Sequence, residues 1–269
     1  MVKYTVNLFN KILHKIILSR YNKKFEDFES ARAFCEKHTK NSYDNEELNK
    51  YRLRKFKDNV ELLPYVFNNS RFSLLESVSL YFHNHNKFPK ILDFGGLFAE
   101  DKLYLEKLYN VEFVYDIVEI KIICELAKEL KHSNFYSDIK EPFLNSKNHY
   151  DMIFTSGAIQ CFENPYEIIS EIFSKKVEYV VFTRTNLSDD EGNYSTASFL
   201  SGHGPCEGHV KYGTPDLKKL IVMASKQTKE EKLLDIAKKY NYKTLRTFGG
   251  LTGAYGENSY TKDFIFKLQ

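Results

Sequence analysis

"KILDFGGLFAED", residues 90–101, decides the fold. Apolar residues run up to Asp93, and two adjacent glycines, Gly95 and Gly96, stand where the run stops. A short apolar run that ends in glycines and passes into a helical pattern reads as a buried strand, a tight turn and a helix N-terminus. In an open α/β sheet, ligands sit beyond the carboxyl ends of the strands, near the point where strand order reverses. The turn is therefore expected to face a ligand. Glycines let that ligand approach the main chain, and the first amides of the next helix can contact it. The plain alternative is an ordinary turn with a helix-capping Asp.

Outward from this stretch the same pattern repeats. Apolar runs recur at 112–118 (EFVYDIV), 134–139 (NFYSDI), 150–155 (YDMIFT) and 178–183 (EYVVFT), separated by the helical stretches EDKLYLEKLY, IICELAKELK and PYEIISEIFSK. Strand–helix alternation of this kind indicates a mostly parallel sheet covered on both faces. The end of the chain breaks it. A helix, TKEEKLLDIAKKY, is expected to open with a capping box formed by Thr228 and Glu231, and it is followed by KTLRTF, a glycine-rich loop and TKDFIFKL. Two strands joined by a loop form an antiparallel hairpin. Five runs and this pair make a mostly parallel seven-stranded sheet with an antiparallel C-terminal hairpin, a Rossmann-like layout of the kind found in class I methyltransferases.

Residues 26–86 are helical in pattern, with Phe28, Ala31 and Phe34 or Cys35 on one face and Ser70 as a candidate N-cap. The expected organisation is a helical N-terminal region, 1–86, in front of a Rossmann-like domain, 87–269. At the N-terminus, Phe9, Ile12, Leu13, Ile16 and Ile17 fall on one helical stripe with Lys3, Lys11, Lys15 and Arg20 largely elsewhere. This helix is expected to dock on the protein's own core or on a second subunit of a homodimer. Weak contact of residues 1–24 with an anionic membrane surface is the other use of such a stripe.

Composition narrows the class further. The chain has 269 residues, 42% hydrophobic and 28% charged, as a globular domain requires. A net charge of +3 from scattered basic residues does not suit nucleic acid. The four cysteines, Cys35, Cys124, Cys161 and Cys206, show no paired spacing and read as reduced thiols of a cytoplasmic protein. No apolar run approaches the ~20 residues needed to span a bilayer.

Carboxylates mark the ends of successive strands. Asp93 suits a ligand carrying an ammonium or sulfonium charge better than one carrying a pyrophosphate. Glu119, ending VYDIVEI, can accept both hydroxyls of a ribose, and Asp138, ending NFYSDI, can accept from an adenine amino group. After the fourth run, TSGAIQCFENP supplies Ser156, Gly157 and Gln160 to line the methionine half of the ligand. Each residue alone is commonplace. Their placement at the ends of four successive strands predicts S-adenosylmethionine as cofactor. NAD, the competing ligand of this fold, wants G-x-G-x-x-G where the chain offers G-G-L-F-A.

ILDFGG, then IVE, DMIFTSGAIQCFENP and VVFTRT, in that order, resemble a family of bacterial methyltransferases that carry DFGG and SGxxQ phrases. The resemblance begins near FEDFESARAFCEK, continues through SYDNEEL and reaches the terminal FIFK. It implies an S-adenosylmethionine-dependent methyltransferase fold associated with surface-polysaccharide biosynthesis. It further implies that Asp93, Gly95 and Gly96 hold the amino-acid end of the cofactor and Glu119 its ribose. The chain departs from the family where a third glycine is usual: Phe98 and Ala99 stand there, and Phe98 is expected to narrow the pocket. Residues 186–226 fit the family's pattern poorly, so the acceptor is where the resemblance says least.

Methyl transfer from a sulfonium is an in-line displacement that needs an aligned acceptor with a free lone pair. A hydroxyl acceptor also needs a base within hydrogen-bond reach, and an anionic one mainly a cationic clamp. Residues 184–215 follow the fifth run and read as a long, glycine-containing loop, a shaped lid. His203 or His209 is the candidate base, Arg184 the candidate clamp and Tyr212 a residue to orient the acceptor. His203, Cys206 and His209 are close enough to share an ion, but no second cluster completes a zinc site, and no metal is assigned. Tyr43, just before a capped helix, is placed to close over the cofactor. A sugar-type or other small-molecule acceptor, a glycan precursor, is the expected substrate. A partner protein that keeps the fold without its chemistry is the second reading.

Overall fold

The structure is a computed structural model that describes residues 12–13, 15–39, 43–62, 71–144, 149–190, 192–199, 220–252 and 258–269. Its elements in chain order are β1 (Lys23–Phe25), α1 (Phe28–His38), α2 (Glu46–Asn59), α3 (Arg71–His85), β2 (Ile91–Phe94), α4 (Glu100–Tyr109), β3 (Tyr115–Val118), α5 (Lys121–Ala127), β4 (Phe135–Tyr136), α6 (Glu141–Leu144), β5 (Met152–Ser156), α7 (Pro165–Ser174), β6 (Tyr179–Ser188), β7 (Asn193–Phe199), β8 (Leu220–Lys226), α8 (Glu230–Lys239), β9 (Tyr242–Thr252) and β10 (Ser259–Leu268).

Seven strands form the main sheet in the order β4-β3-β2-β5-β6-β10-β9. β2 pairs in parallel with both β3 and β5, and β5 with β6, while β10 runs antiparallel to β6 and to β9. Strand order therefore reverses at β2, with β3 and β4 on one side and β5 and β6 on the other. This is the doubly wound, Rossmann-like sheet with a C-terminal hairpin that the sequence pattern predicts.

Alternation in the strands explains the two covered faces. Leu92, Phe94, Ile153, Val180, Phe182 and Phe266 pack with Ile169, Ile172 and Phe173 of α7 and Leu233 of α8. Ile91, Tyr115, Ile117, Met152, Phe154 and Val181 point the other way, onto Leu74, Val78 and Tyr81 of α3 and Leu105 of α4. A third cluster joins Leu53 and Phe56 of α2 to Phe98 and to Ile123 and Ala127 of α5, so the N-terminal region packs directly beside the turn after β2. Phe98 is fully buried there and does not narrow the cleft.

Local signals set the helix starts. Asp27 accepts from the Ser30 amide to cap α1, and Asn45 from the Leu48 amide to cap α2. Pro165 opens α7. The capping box expected at Thr228 is absent: the N-cap of α8 is Lys229, with no side-chain cap bond. Thr228 is instead buried, with its amide on Asn186 O at 3.1 Å and its carbonyl accepting from the Ser188 amide at 3.0 Å. The candidate cap Ser70 lies outside the described residues.

Two expectations about the chain's organisation change. The stretch 184–215 is not a loop throughout: β6 extends to Ser188, and 193–199 is strand β7. β7 and β8 are antiparallel, β1 pairs antiparallel with β7, and the three form a second sheet in the order β1-β7-β8. The helical N-terminal region thus contributes a strand to a sheet whose other members come from the far end of the chain. One face of this sheet packs Leu220 and Val222 on Cys35 and Phe34 of α1, with Ile17, Leu18 and Tyr21 around them. Part of the N-terminal apolar stripe is accordingly docked on the protein's own core, while Ile12 and Ile16 are exposed. Among the described residues, no helix is long and apolar enough to cross a membrane.

Candidate functional site

A cleft of about 780 Å³ opens beyond the carboxyl ends of β2, β3, β5 and β6, on the side where strand order reverses. It lies near the upper end of the ~300–1,000 Å³ typical of small-molecule sites. Gly95, Glu119, Asp138, Ser156, Gly157, Gln160 and Arg184, all predicted from sequence, line it. Asp93 and Gly96 do not.

The glycine turn has a different reason from the one expected. Gly95 has φ +82°, and a Cβ there would run into Ala158 Cβ. A Cβ on Gly96 would run into the Asp93 carboxylate. What comes so close to the main chain is the protein itself, and only Gly95 presents its backbone to the cleft. Asp93 is turned inward beneath this turn, 2% exposed, with Oδ2 accepting the Tyr115 hydroxyl at 2.7 Å and Oδ1 buried without a partner. Burial, followed by the nearby Asp101, pushes its carboxyl well above the usual range. An aspartate so placed supports the turn and does not face a ligand's cation, which corrects the sequence-based role.

Glu119 stands at the end of β3 with its carboxylate in the cleft. Oε2 accepts from the Ile120 amide at 2.9 Å, and Oε1 from the Leu97 amide at 3.2 Å and the Tyr43 hydroxyl at 3.3 Å. Burial raises its pKa, and these three donors partly offset the rise. Tyr43 is in turn held by Arg52, whose guanidinium lies 4.8 Å from the ring centroid, and by Asn49, whose side-chain amide donates to Tyr43 O at 2.9 Å. Tyr43, Asp44 and Arg52 all line the cleft, so the N-terminal region forms one of its walls. Asp138, past β4, is exposed at the mouth and accepts from the Lys140 amide at 2.8 Å.

The other half of the cleft is built by β5 and β6. Ser156 ends β5, and its Oγ accepts from Thr183 Oγ1 at 2.8 Å and from Arg184 Nε at 3.0 Å. Gly157 has φ +67°, with the Gln160 amide and the Arg184 guanidinium on either side of where its Cβ would be. Gln160 is 8% exposed and its Oε1 has no hydrogen-bond partner. Arg184 itself has φ +52°, an unusual conformation for a side chain with a Cβ. Its cause is a β-bulge. Thr185 pairs with Lys262 and Phe182 with Phe264, so Thr183 and Arg184 together face Asp263, whose Oδ1 accepts the Arg184 amide at 2.8 Å. The bulge re-aims one side chain, and that side chain enters the cleft.

The roof comes from the second sheet, which sequence reading missed. Thr196, Ala197, Ser198, Met223, Ala224 and Ser225 line the cleft from β7 and β8. The alternation in NYSTASF and LIVMASK was the available signal; the histidine-bearing stretch between them drew it into one long loop. Arg52 had no signal at all, since it is one of several basic residues on a helix. His203, His209 and Tyr212 lie outside the described residues.

Fold and cleft together define a Rossmann-like α/β protein of class I methyltransferase architecture, on the strength of its strand order. No protein-family model matches the sequence, and no curated protein matches it. Among solved structures, the chain is similar to magnesium protoporphyrin IX methyltransferase (ChlM) from Synechocystis PCC 6803 with bound SAH, at 13% identity and TM-score 0.46, over 82% of this chain and 100% of that one. It is similar to an S-adenosylmethionine-dependent methyltransferase from Clostridium acetobutylicum ATCC 824 at 13% identity and TM-score 0.46, over 80% of this chain and 98% of that one. The N-terminal domain of EvdMO1, in the presence of SAH and D-fucose, is similar at 10% identity and TM-score 0.46, over 74% and 84% of the two chains. Identities this low say nothing of chemistry.

Proposed function

We propose that this protein is an S-adenosylmethionine-dependent methyltransferase. The reaction we propose is O-methylation of a sugar, nucleotide-sugar or phosphate- or phosphoramidate-bearing precursor of a bacterial surface glycan; the sequence resemblance supports the surface-polysaccharide context. One observation carries the cofactor reading: Glu119, at the carboxyl end of β3 beside the switch point, holds a buried, donor-fixed carboxylate in the cleft, where a ribose diol is to be recognised.

The chain's residues fit the cofactor. Glu119 takes the ribose, Asp138 the adenine amino group, and Gly95, Ser156, Gly157 and Gln160 the methionine half. The buried, unpartnered Gln160 Oε1 is an acceptor in want of a donor such as an ammonium. Asp93 acts through the turn it supports. When bound, the cofactor supplies an electrophilic methyl group on sulfur. Arg184 holds an anionic group of the acceptor, and His203 or His209 takes the proton of the attacking hydroxyl, with Tyr212 orienting it. The enzyme works in the cytoplasm, in keeping with cysteines that show no paired spacing.

Calorimetry tests the reading. S-adenosylhomocysteine is expected to bind at about micromolar Kd and NAD not at all. Binding of NAD alone overturns the assignment, and binding of neither ligand favours a partner protein without chemistry.

A further inference from the structure

The cleft is lined by unlike groups. Tyr43, Glu119 and Asp138 are among them, and so are Arg184 and residues of the second sheet. On β7 and β8, Ala197, Leu220, Val222 and Ala224 belong to the cluster with α1. Strand alternation therefore turns Thr196, Ser198, Met223 and Ser225 to the opposite face, and these four line the cleft together with Ala197 and Ala224. That face presents three hydroxyls and a thioether to the cleft.

One buried polar atom of this face lacks a partner: Ser225 is 3% exposed and its Oγ has no hydrogen bond. Buried polar atoms are ordinarily satisfied, and an orphan on a face that lines a cleft marks a ligand that completes it. Small hydroxylated side chains let a ring come close and exchange hydrogen bonds with its hydroxyls, and Met223 adapts to its apolar face. Arg184, aimed in by the β6 bulge, adds a cation for a charged substituent.

We infer that this face of the second sheet is the acceptor wall, and that with Arg184 it takes a sugar phosphate. The inference rests on the methyltransferase reading and assigns the residues that choose its acceptor. Ser225 and Thr196 read hydroxyls, and Arg184 reads the phosphate.

The probe is glucose 1-phosphate, with glucose and inorganic phosphate as its two halves. Each is titrated calorimetrically into the full chain, with and without saturating S-adenosylhomocysteine. The sugar phosphate is expected to bind at least about tenfold more tightly than either half. Ser225→Val is expected to weaken the sugar phosphate about tenfold while leaving inorganic phosphate within about twofold. Thr196→Val does the same and serves if Ser225→Val does not fold. Arg184→Gln removes phosphate and sugar phosphate together. A sugar phosphate that binds no better than inorganic phosphate, or that ignores both valine variants, overturns the acceptor wall. Sugar phosphate binding without S-adenosylhomocysteine binding leaves the wall standing and overturns the methyltransferase reading.

Discussion

The Tyr43 hydroxyl donates to Glu119 Oε1 at 3.3 Å and so ties the start of α2 to the end of β3. The same oxygen already accepts from the Leu97 amide. Under the proposed function a ribose hydroxyl bonding to this carboxylate competes with the phenol, while the Tyr43 ring, backed by Arg52, walls the cleft beside it.

Tyr43→Phe and Tyr43→Ala therefore act in opposite directions. The phenylalanine keeps the wall and removes the competing donor, so S-adenosylhomocysteine should bind a fewfold more tightly, about 1 kcal/mol at most. The alanine removes the wall and should weaken binding. Calorimetry on both variants checks the pair, and equal effects of the same sign would remove Tyr43 from the site.

Glu119→Ala should weaken S-adenosylhomocysteine about 10- to 100-fold, the worth of about two charge-assisted hydrogen bonds. The fold should survive, because the Leu97 and Ile120 amides that bond Glu119 line the solvent-reachable cleft. Unchanged affinity with a native circular-dichroism spectrum would end the ribose assignment.

Asp93 makes stability depend on pH. Its folded-state pKa is raised by burial, so between the usual carboxylate value and that raised value the folded chain holds more protons than the unfolded one. Stability contributed by the protonated acid is present below the unfolded pKa and is lost as pH rises through the folded one. Asp93→Asn keeps an acceptor for the Tyr115 hydroxyl and has no charge to desolvate. Melting temperatures at about pH 5 and about pH 8 should differ less in the variant than in the wild type, with the variant's gain at the higher pH. An identical pH slope in both proteins would show that Asp93 is not the group responsible.

Arg184 should separate stability from function. Its φ of +52° disfavours any residue with a Cβ by roughly 1–2 kcal/mol, and glycine is free of that cost. Arg184→Gly gains there and loses the bonds to Ser156, so its unfolding free energy should stay within about 1 kcal/mol of wild type. Methyl transfer should fall at least about tenfold from loss of the clamp. A variant that is stable and fully active would show the guanidinium to be ornamental.

His203→Ala and His209→Ala test the base. At least one should lower turnover by about 10²–10⁴-fold, the usual worth of a general base, with S-adenosylhomocysteine affinity within about twofold. Wild-type rates in both would make the two histidines bystanders.

The sheet and the placement of Glu119, Asp138 and Ser156 in the cleft were legible in the sequence because their signals are local. ILDFGG, VYDIVE and MIFTSG each carry a buried run, its end and a small or acidic residue in one short phrase. Parallel pairing brings those ends together whatever else the chain does. Asp93 shows the limit of that logic: its position at the strand end was correct, but only packing decides that its carboxylate turns under Gly96 onto Tyr115.

The sequence by itself determined the doubly wound sheet, its reversed final strand and which strand ends carry Glu119, Asp138 and Ser156. Apolar period and turn residues act over a few neighbours, so they can be read one phrase at a time. Tertiary structure alone decided that β1 joins β7 across 170 residues of chain, as in the pairing of Lys24 with Tyr194, that Arg52 stands behind Tyr43, and that a bulge aims Arg184 into the cleft. Those contacts depend on which distant surfaces bury each other, a balance of packing over the whole molecule that no single stretch of residues encodes.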